Sequence, residues 1–135
     1  MSIEQAICTL ITGNQFLKSI INDRLFPLYL PQGERRATIV YQQVGGSDGV
    51  TTDGPLGLVD ARFQFTCWSS THAGCVALAN ELLNILKGYS GIVENITIQK
   101  TQVVGRGDIP ALSDQAEELT RYGKYIDVVI SYNES

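Results

Sequence analysis

Val59-Asp60-Ala61-Arg62-Phe63-Gln64-Phe65-Thr66-Cys67-Trp68 carries the clearest alternation in the chain. Successive side chains of a strand point to opposite faces, so Phe63, Phe65 and Cys67 share one face and Arg62, Gln64 and Thr66 the other. One face is therefore buried, and the other is wet or in contact with a partner. Upstream, residues 37–44 form a first strand in which Ile39 and Tyr41 alternate with Val40 and Gln42, dominated by β-branched and aromatic residues. Between the two strands, residues 45–58 hold five glycines, one proline and two aspartates, which is loop chemistry. A connection of that length in so small a chain usually has a job.

Helices flank this core. Ile3, Ala6, Ile7, Leu10 and Ile11 recur at helical spacing over residues 2–12, with Ser2 as a cap. A shorter helical piece over 16–22 repeats the stripe with Phe16, Leu17, Ile20 and Ile21. Pro27 and Pro31 then force an extended path. The strongest helix begins at Ser70-Thr71 and runs to Lys87. Its stripe is Cys75, Leu78, Ala79, Leu82, Ile85 and Leu86, and Gly88 stands where a terminating glycine belongs. Residues 92–104 read as a strand with Ile96, Ile98 and Val103 facing in. Residues 105–120 read as a second long polar loop with room for a short helix at 114–119. Residues 122–132 close the chain as a strand, Ile126, Val128 and Ile130 opposite Tyr125, Asp127 and Val129. The expectation is a single α+β domain over 1–135. It is a four-stranded, mainly antiparallel sheet with an N-terminal and a central helix packed on one face, and two long loops.

The chain has 135 residues, 44% of them hydrophobic and 18% charged, a globular composition. Ten basic residues against 14 acidic ones give −4, which argues against a phosphate-tracking surface. Three cysteines behind a start that carries an early acid and no basic stretch do not read as a secreted disulfide framework. No apolar run approaches the ~20 residues that a membrane helix needs. The expected site of synthesis is a reducing cytoplasm.

Chemistry-bearing clusters are few. Cys67, His72 and Cys75 lie close, but zinc takes four ligands, the chain has one histidine, and both cysteines fall on apolar faces. Gly88-Tyr89-Ser90-Gly91 misses the nucleophile elbow, because its second glycine comes one residue early. Gly105-Arg106-Gly107-Asp108-Ile109-Pro110 starts like a dinucleotide fingerprint, then lacks the third glycine and the long helix. Asp48 and Asp53 share a loop without the alternating oxygen ligands of a calcium loop. Glu34-Arg35-Arg36 is an isolated charge cluster, read as solvated or as an ion-pair partner for a neighbouring subunit. The expectation is no enzyme, no cofactor and no metal.

Leu25-Phe26-Pro27, Pro31-Gln32-Gly33 and the strand Thr38-Ile39-Val40-Tyr41-Gln42-Gln43 resemble the small tail-completion, or tail-to-head joining, proteins of long-tailed bacteriophages. So do Asp53-Gly54-Pro55-x-Gly57-Leu58, the strand Arg62-Phe63-Gln64-Phe65-x-Cys67-Trp68 and the helix with Ala77-Leu78-Ala79. The resemblance covers roughly residues 1–100 and the final strand. It implies an α+β protein of the virion neck, made in the bacterial host. Such a protein assembles as a ring, commonly of six subunits, on the end of the tail tube and joins it to the head connector. Its partners would be further copies of itself, the tail tube protein and the connector, with no membrane. DNA would pass through the ring without sequence-specific contact. A ring needs heterologous contacts. The outward face of the 59–68 strand (Arg62, Gln64, Thr66, Trp68) offers one, and the loop at Asp53, Gly54 and Pro55 would act as a contact arm. Arg35 and Arg36, and Arg106 and Asp108 in the second loop, complete the candidate interface. The rival reading is a small ligand-binding or hydrolytic domain that uses residues 45–58 as a lid.

Overall fold

The computed structural model describes residues 3–28, 36–47, 58–93, 96–114 and 119–134. Among them, helices α1 (Ile3–Thr12) and α2 (Gln15–Ile21) lead into strands β1 (Leu25–Pro27), β2 (Thr38–Ser47) and β3 (Leu58–Ser69). Helix α3 (His72–Leu86) follows, then β4 (Gly91–Val93), β5 (Ile96–Asp114) and β6 (Leu119–Glu134). The strands form one curled sheet in the order β1-β2-β3-β6-β5-β4. Every pairing is antiparallel except β1 with β2.

The sheet is therefore six-stranded and mixed, not four-stranded and antiparallel. Three features account for the difference. Leu25-Phe26-Pro27, expected only to be extended, pairs in parallel with Ile39–Tyr41. The strand expected over 92–104 is divided, so that Gly91–Val93 folds back on Ile96–Ile98. The loop expected over 105–120 is instead the continuation of β5 and the start of β6, paired through Asp114 and Leu119, and the interior of the short helix expected over 114–119 lies outside the described residues. The glycines and Pro110 that signal a loop lie in the half of β5 that has no strand on its outer side. Proline, which cannot donate to a ladder, is tolerated at an edge. The register of β5 shifts at Ile98/Lys100, Val103/Gly105 and Ile109/Leu112, so bulges absorb the irregular residues.

The core lies between the inward face of the sheet and the three helices. Ala61, Phe63, Phe65 and Cys67 of β3 and Ile126, Val128 and Ile130 of β6 pack with Ile39, Ile96 and Ile98. Facing them are Ile7 and Ile11 of α1, Leu17 and Ile21 of α2, and Leu78, Leu82 and Leu86 of α3. Arg24 is buried, and among the described residues its partners are backbone carbonyls. Its guanidinium donates to the carbonyls of Ile20 (2.7 Å) and Ala37 (3.0 Å), tying the end of α2 to the start of β2.

Side chains cap two helix starts. Asn14 Oδ1 accepts from Leu17 N at 2.9 Å, and Thr71 Oγ1 accepts from Gly74 N at 3.0 Å. Asn14 also donates to Glu81 of α3 at 3.3 Å. At the other end of α3, Gly88 takes a left-handed φ of 69°, which glycine adopts freely. Thr71→Ala is expected to cost about 1 kcal/mol in urea unfolding, and Thr71→Ser to restore most of it.

Candidate functional site

Two loops were expected to reach partners, and the ladder shows where their roots stand. Leu58 pairs with Asn133 at one end of the sheet, and Ser69 with Tyr122 at the other. The β2–β3 connection leaves from Ser47 and returns at Leu58, the first of these ends. Asp114 and Leu119, from which the β5–β6 connection leaves and returns, lie beyond the second. There Leu112, Ser113 and Asp114 pair only with Arg121, Thr120 and Leu119, past the last rung of β3. Three extra rungs carry this hairpin roughly 10 Å beyond β3. Of the candidate interface, Arg35, Asp53, Gly54 and Pro55 lie outside the described residues, and Arg36 is exposed.

The outer face of the sheet is a polar network. Gln42 Nε2 donates to Gln64 Oε1 across β2 and β3 at 3.1 Å, and Ser131 Oγ donates to Asp60 Oδ1 at 2.6 Å. Arg62 lies 3.7 Å from Asp127 Oδ2, a long ion pair, while Asp127 Oδ1 is buried with no hydrogen-bond partner. Arg62 and Gln64 thus face outward, as the alternation predicts. Trp68 does not remain available: it is only 9% exposed. Its cross-strand partner is Gly123, and a Cβ on Gly123 would stand 2.8 Å from the indole Cζ3. The indole lies in the hollow that glycine leaves, so Trp68 covers the sheet instead of presenting to a partner. Tyr125 covers Gly107 in the same way, 2.9 Å from the position a Cβ would take.

Arg106 and Asp108 sit on the helix side of the sheet, away from Arg62 and Gln64. Lys124 Nζ donates to Asp108 Oδ1 at 2.6 Å, and this hydrogen bond with its charge holds the Asp108 carboxyl below its usual range. The sign follows: what the pair contributes is present above the ordinary carboxylate value and lost as pH falls through the lowered one. Arg106 and Lys124, with Ala79, Asn80 and Leu83 of α3, line a cavity of about 250 Å³. The described candidate residues therefore fall on both faces of the sheet and do not converge on one centre.

The cysteines are free thiols, Cys67 and Cys75 buried and Cys8 partly so. Cys75 Sγ donates to the Cys67 carbonyl at 3.2 Å. Burial pushes the Cys67 thiol up, with Cys75 adding to it. Burial also raises Cys75, against the opposing charge of Lys124. Neither resembles an activated nucleophile. A thiol reagent at neutral pH is expected to modify Cys8 alone in the folded protein, and all three after unfolding, as read by intact mass. His72 is exposed, edge-on to Tyr122 with ring centroids 6.0 Å apart. Among the described residues no group of three His, Cys, Asp or Glu side chains is placed to hold a metal. Nor is any helix among them long and apolar enough to cross a membrane.

Sequence reasoning missed the sheet edges. Five large apolar side chains are exposed among the described residues, and four lie on the edges: Leu28 and Val44 beside β1 and on β2, Ile92 on β4 and Val104 on β5. Leu28 also has a φ of 73°, a conformation that costs a non-glycine residue energy and often marks a functional position. The apolar letters were visible in the sequence, but not that these strands would be outermost.

No family model matches this chain, and no curated protein matches it. Among solved structures, the fold is similar to that of a chain in the virion of a native gene transfer agent (GTA) particle. The TM-score is 0.62 at 9% identity, over 96% of this chain and 95% of that one. The likeness extends over nearly the whole of both chains.

Proposed function

We propose that this protein is a structural subunit of a bacteriophage virion, acting in the neck. Copies form a ring on the end of the tail tube and join it to the head connector. The observation that carries the reading is the end-to-end likeness to a chain found in a virion. It agrees in kind with the resemblance of roughly residues 1–100 and the final strand to tail-completion proteins. Two further features support it. The roots of the two contact segments stand at opposite ends of the sheet, as a subunit between two partners requires. The outer face carries a buried carboxylate oxygen without a partner, as a surface completed by another molecule would. The role requires no catalysis, and the acidic balance suits a channel that DNA passes without sticking.

Particles assembled without the protein, imaged by electron microscopy, test the reading. Full heads beside finished, detached tails are the expected result. Intact particles would overturn it. Heads that have lost their DNA while tails fail to form would overturn the tail-joining assignment in favour of an earlier neck component.

A further inference from the structure

We infer that copies of this chain pair edge to edge, the β1 side of one copy lying along the open half of β5 of the next. Among the described residues, β4 covers β5 only at Ile96–Ile98 and Gly88 N donates to Thr101 O. From Gln102 to Asp114 no strand among the described residues lies on the outer side of β5. At the opposite edge, β1 covers β2 only at Ile39–Tyr41, and no strand among the described residues lies on its other side. Long open edges are normally blunted or paired. Here both carry apolar side chains: Leu28 is 70% exposed and Val104 45%.

The two edges match in direction and in level. β1 runs with β2, and β5 runs against it. A rotation about an axis along the strands preserves each strand's sense, so β1 of a second copy meets β5 antiparallel. The ladder connects Leu25 through Ile39, Cys67 and Lys124 to Asp108, and Pro27 through Tyr41, Phe65 and Ile126 to Arg106. The strand that would dock and the edge that would receive it thus stand on the same rungs. One step further in the same direction, Leu28 comes level with Gly105, and Val104 stands beside that rung in the bulge between Val103 and Gly105. A heterologous contact made level closes into a ring, whereas one made with a step climbs into a filament. The β1 strand Leu25–Pro27 carries no charge, so no like-charge pair opposes its docking against Arg106, Asp108 and Asp114 of β5. Pro27 withholds one donor, so the contact between Leu28 and Val104 is the centre of the joint.

This joint rests on the ring of the proposed function, and its test separates the two. In a Leu28→Cys/Val104→Cys double variant made, like the single variants, with Cys8→Ser, the new thiols are four strand spacings apart, ~19 Å along the sheet, beyond the ~7 Å reach of a disulfide within one copy. Mild oxidation is expected to give a ladder of multimers, while each single variant stops at dimers. Val104→Lys is expected to weaken self-association about tenfold or more, since pairing would bury an ammonium, with an unchanged melting temperature at dilutions where both proteins are monomeric. A double variant that cross-links no further than the singles would overturn the joint, as would a Val104→Lys protein that associates like the parent. A ladder with intact particles in the protein's absence would keep the joint and discard the virion role. Unjoined heads and tails without a ladder would do the reverse.

Discussion

Phe63→Ala is expected to lower the free energy of unfolding by about 3–5 kcal/mol. Phe63 is fully buried at the centre of β3, paired with Val128 of β6 and Gln43 of β2. Its ring lies 6.1 Å from that of Phe65, at an interplanar angle of 23°. Truncation removes the aromatic contact and leaves a cavity between sheet and helices that the neighbours on two strands can collapse into only in part. A domain of this kind is stable by roughly 5–15 kcal/mol, so one side chain would remove a large fraction of the total. Urea unfolding followed by circular dichroism measures it. Phe63→Leu should recover much of the loss, because it refills most of the volume. A loss under about 1 kcal/mol for Phe63→Ala would mean that this strand face is not the core.

The second large effect is expected at Gly123. A methyl group there would stand 2.8 Å from Cζ3 of Trp68 and 3.0 Å from Cε3 and Cη2, closer than real carbon contacts. The indole is rigid, so it must tilt away from the sheet and into water. Gly123→Ala is expected to destabilise by about 1–3 kcal/mol, although alanine is otherwise no worse than glycine in a strand. Trp68 is the only tryptophan, so its fluorescence reports the displacement directly as a red shift. The two positions act as one unit. In a Trp68→Ala background the same Gly123→Ala change should cost much less, which a double-mutant cycle measures. An unshifted emission spectrum would contradict the packing of indole on glycine.

Much of the fold was legible because local pattern and final burial agree. The alternation over 59–68 placed Phe63, Phe65 and Cys67 in the core, and the stripe of α3 placed Cys75, Leu78, Leu82 and Leu86 there. Gly88 ended the helix as expected. What failed depended on neighbours that lie far away in the chain. Leu25-Phe26-Pro27 is too short to be recognised as a strand, and it becomes one only because β2 lies alongside. Gly105, Gly107 and Pro110 have loop composition, yet they sit on an edge where a missing donor and bulges are tolerated. Trp68 follows the outward periodicity of its strand faithfully. Its burial is set by Gly123, fifty-five positions on, through a register that alternation alone does not supply. Of the candidate interface, Arg62 and Gln64 were read correctly as outward. Arg106 and Asp108 were assigned to a loop and lie instead on the opposite face. The edge residues Leu28 and Val104 gave no signal, since an exposed apolar side chain is ordinary until its place at a sheet edge is known.

The central claim is that this chain is an assembly subunit. Its mass in solution, measured by light scattering alone and after mixing with purified tail tubes, tests that most directly. The account predicts a closed multimer of one size, alone or on the tubes, and capture at tube ends. A chain that stays monomeric at every concentration and ignores the tubes would contradict it.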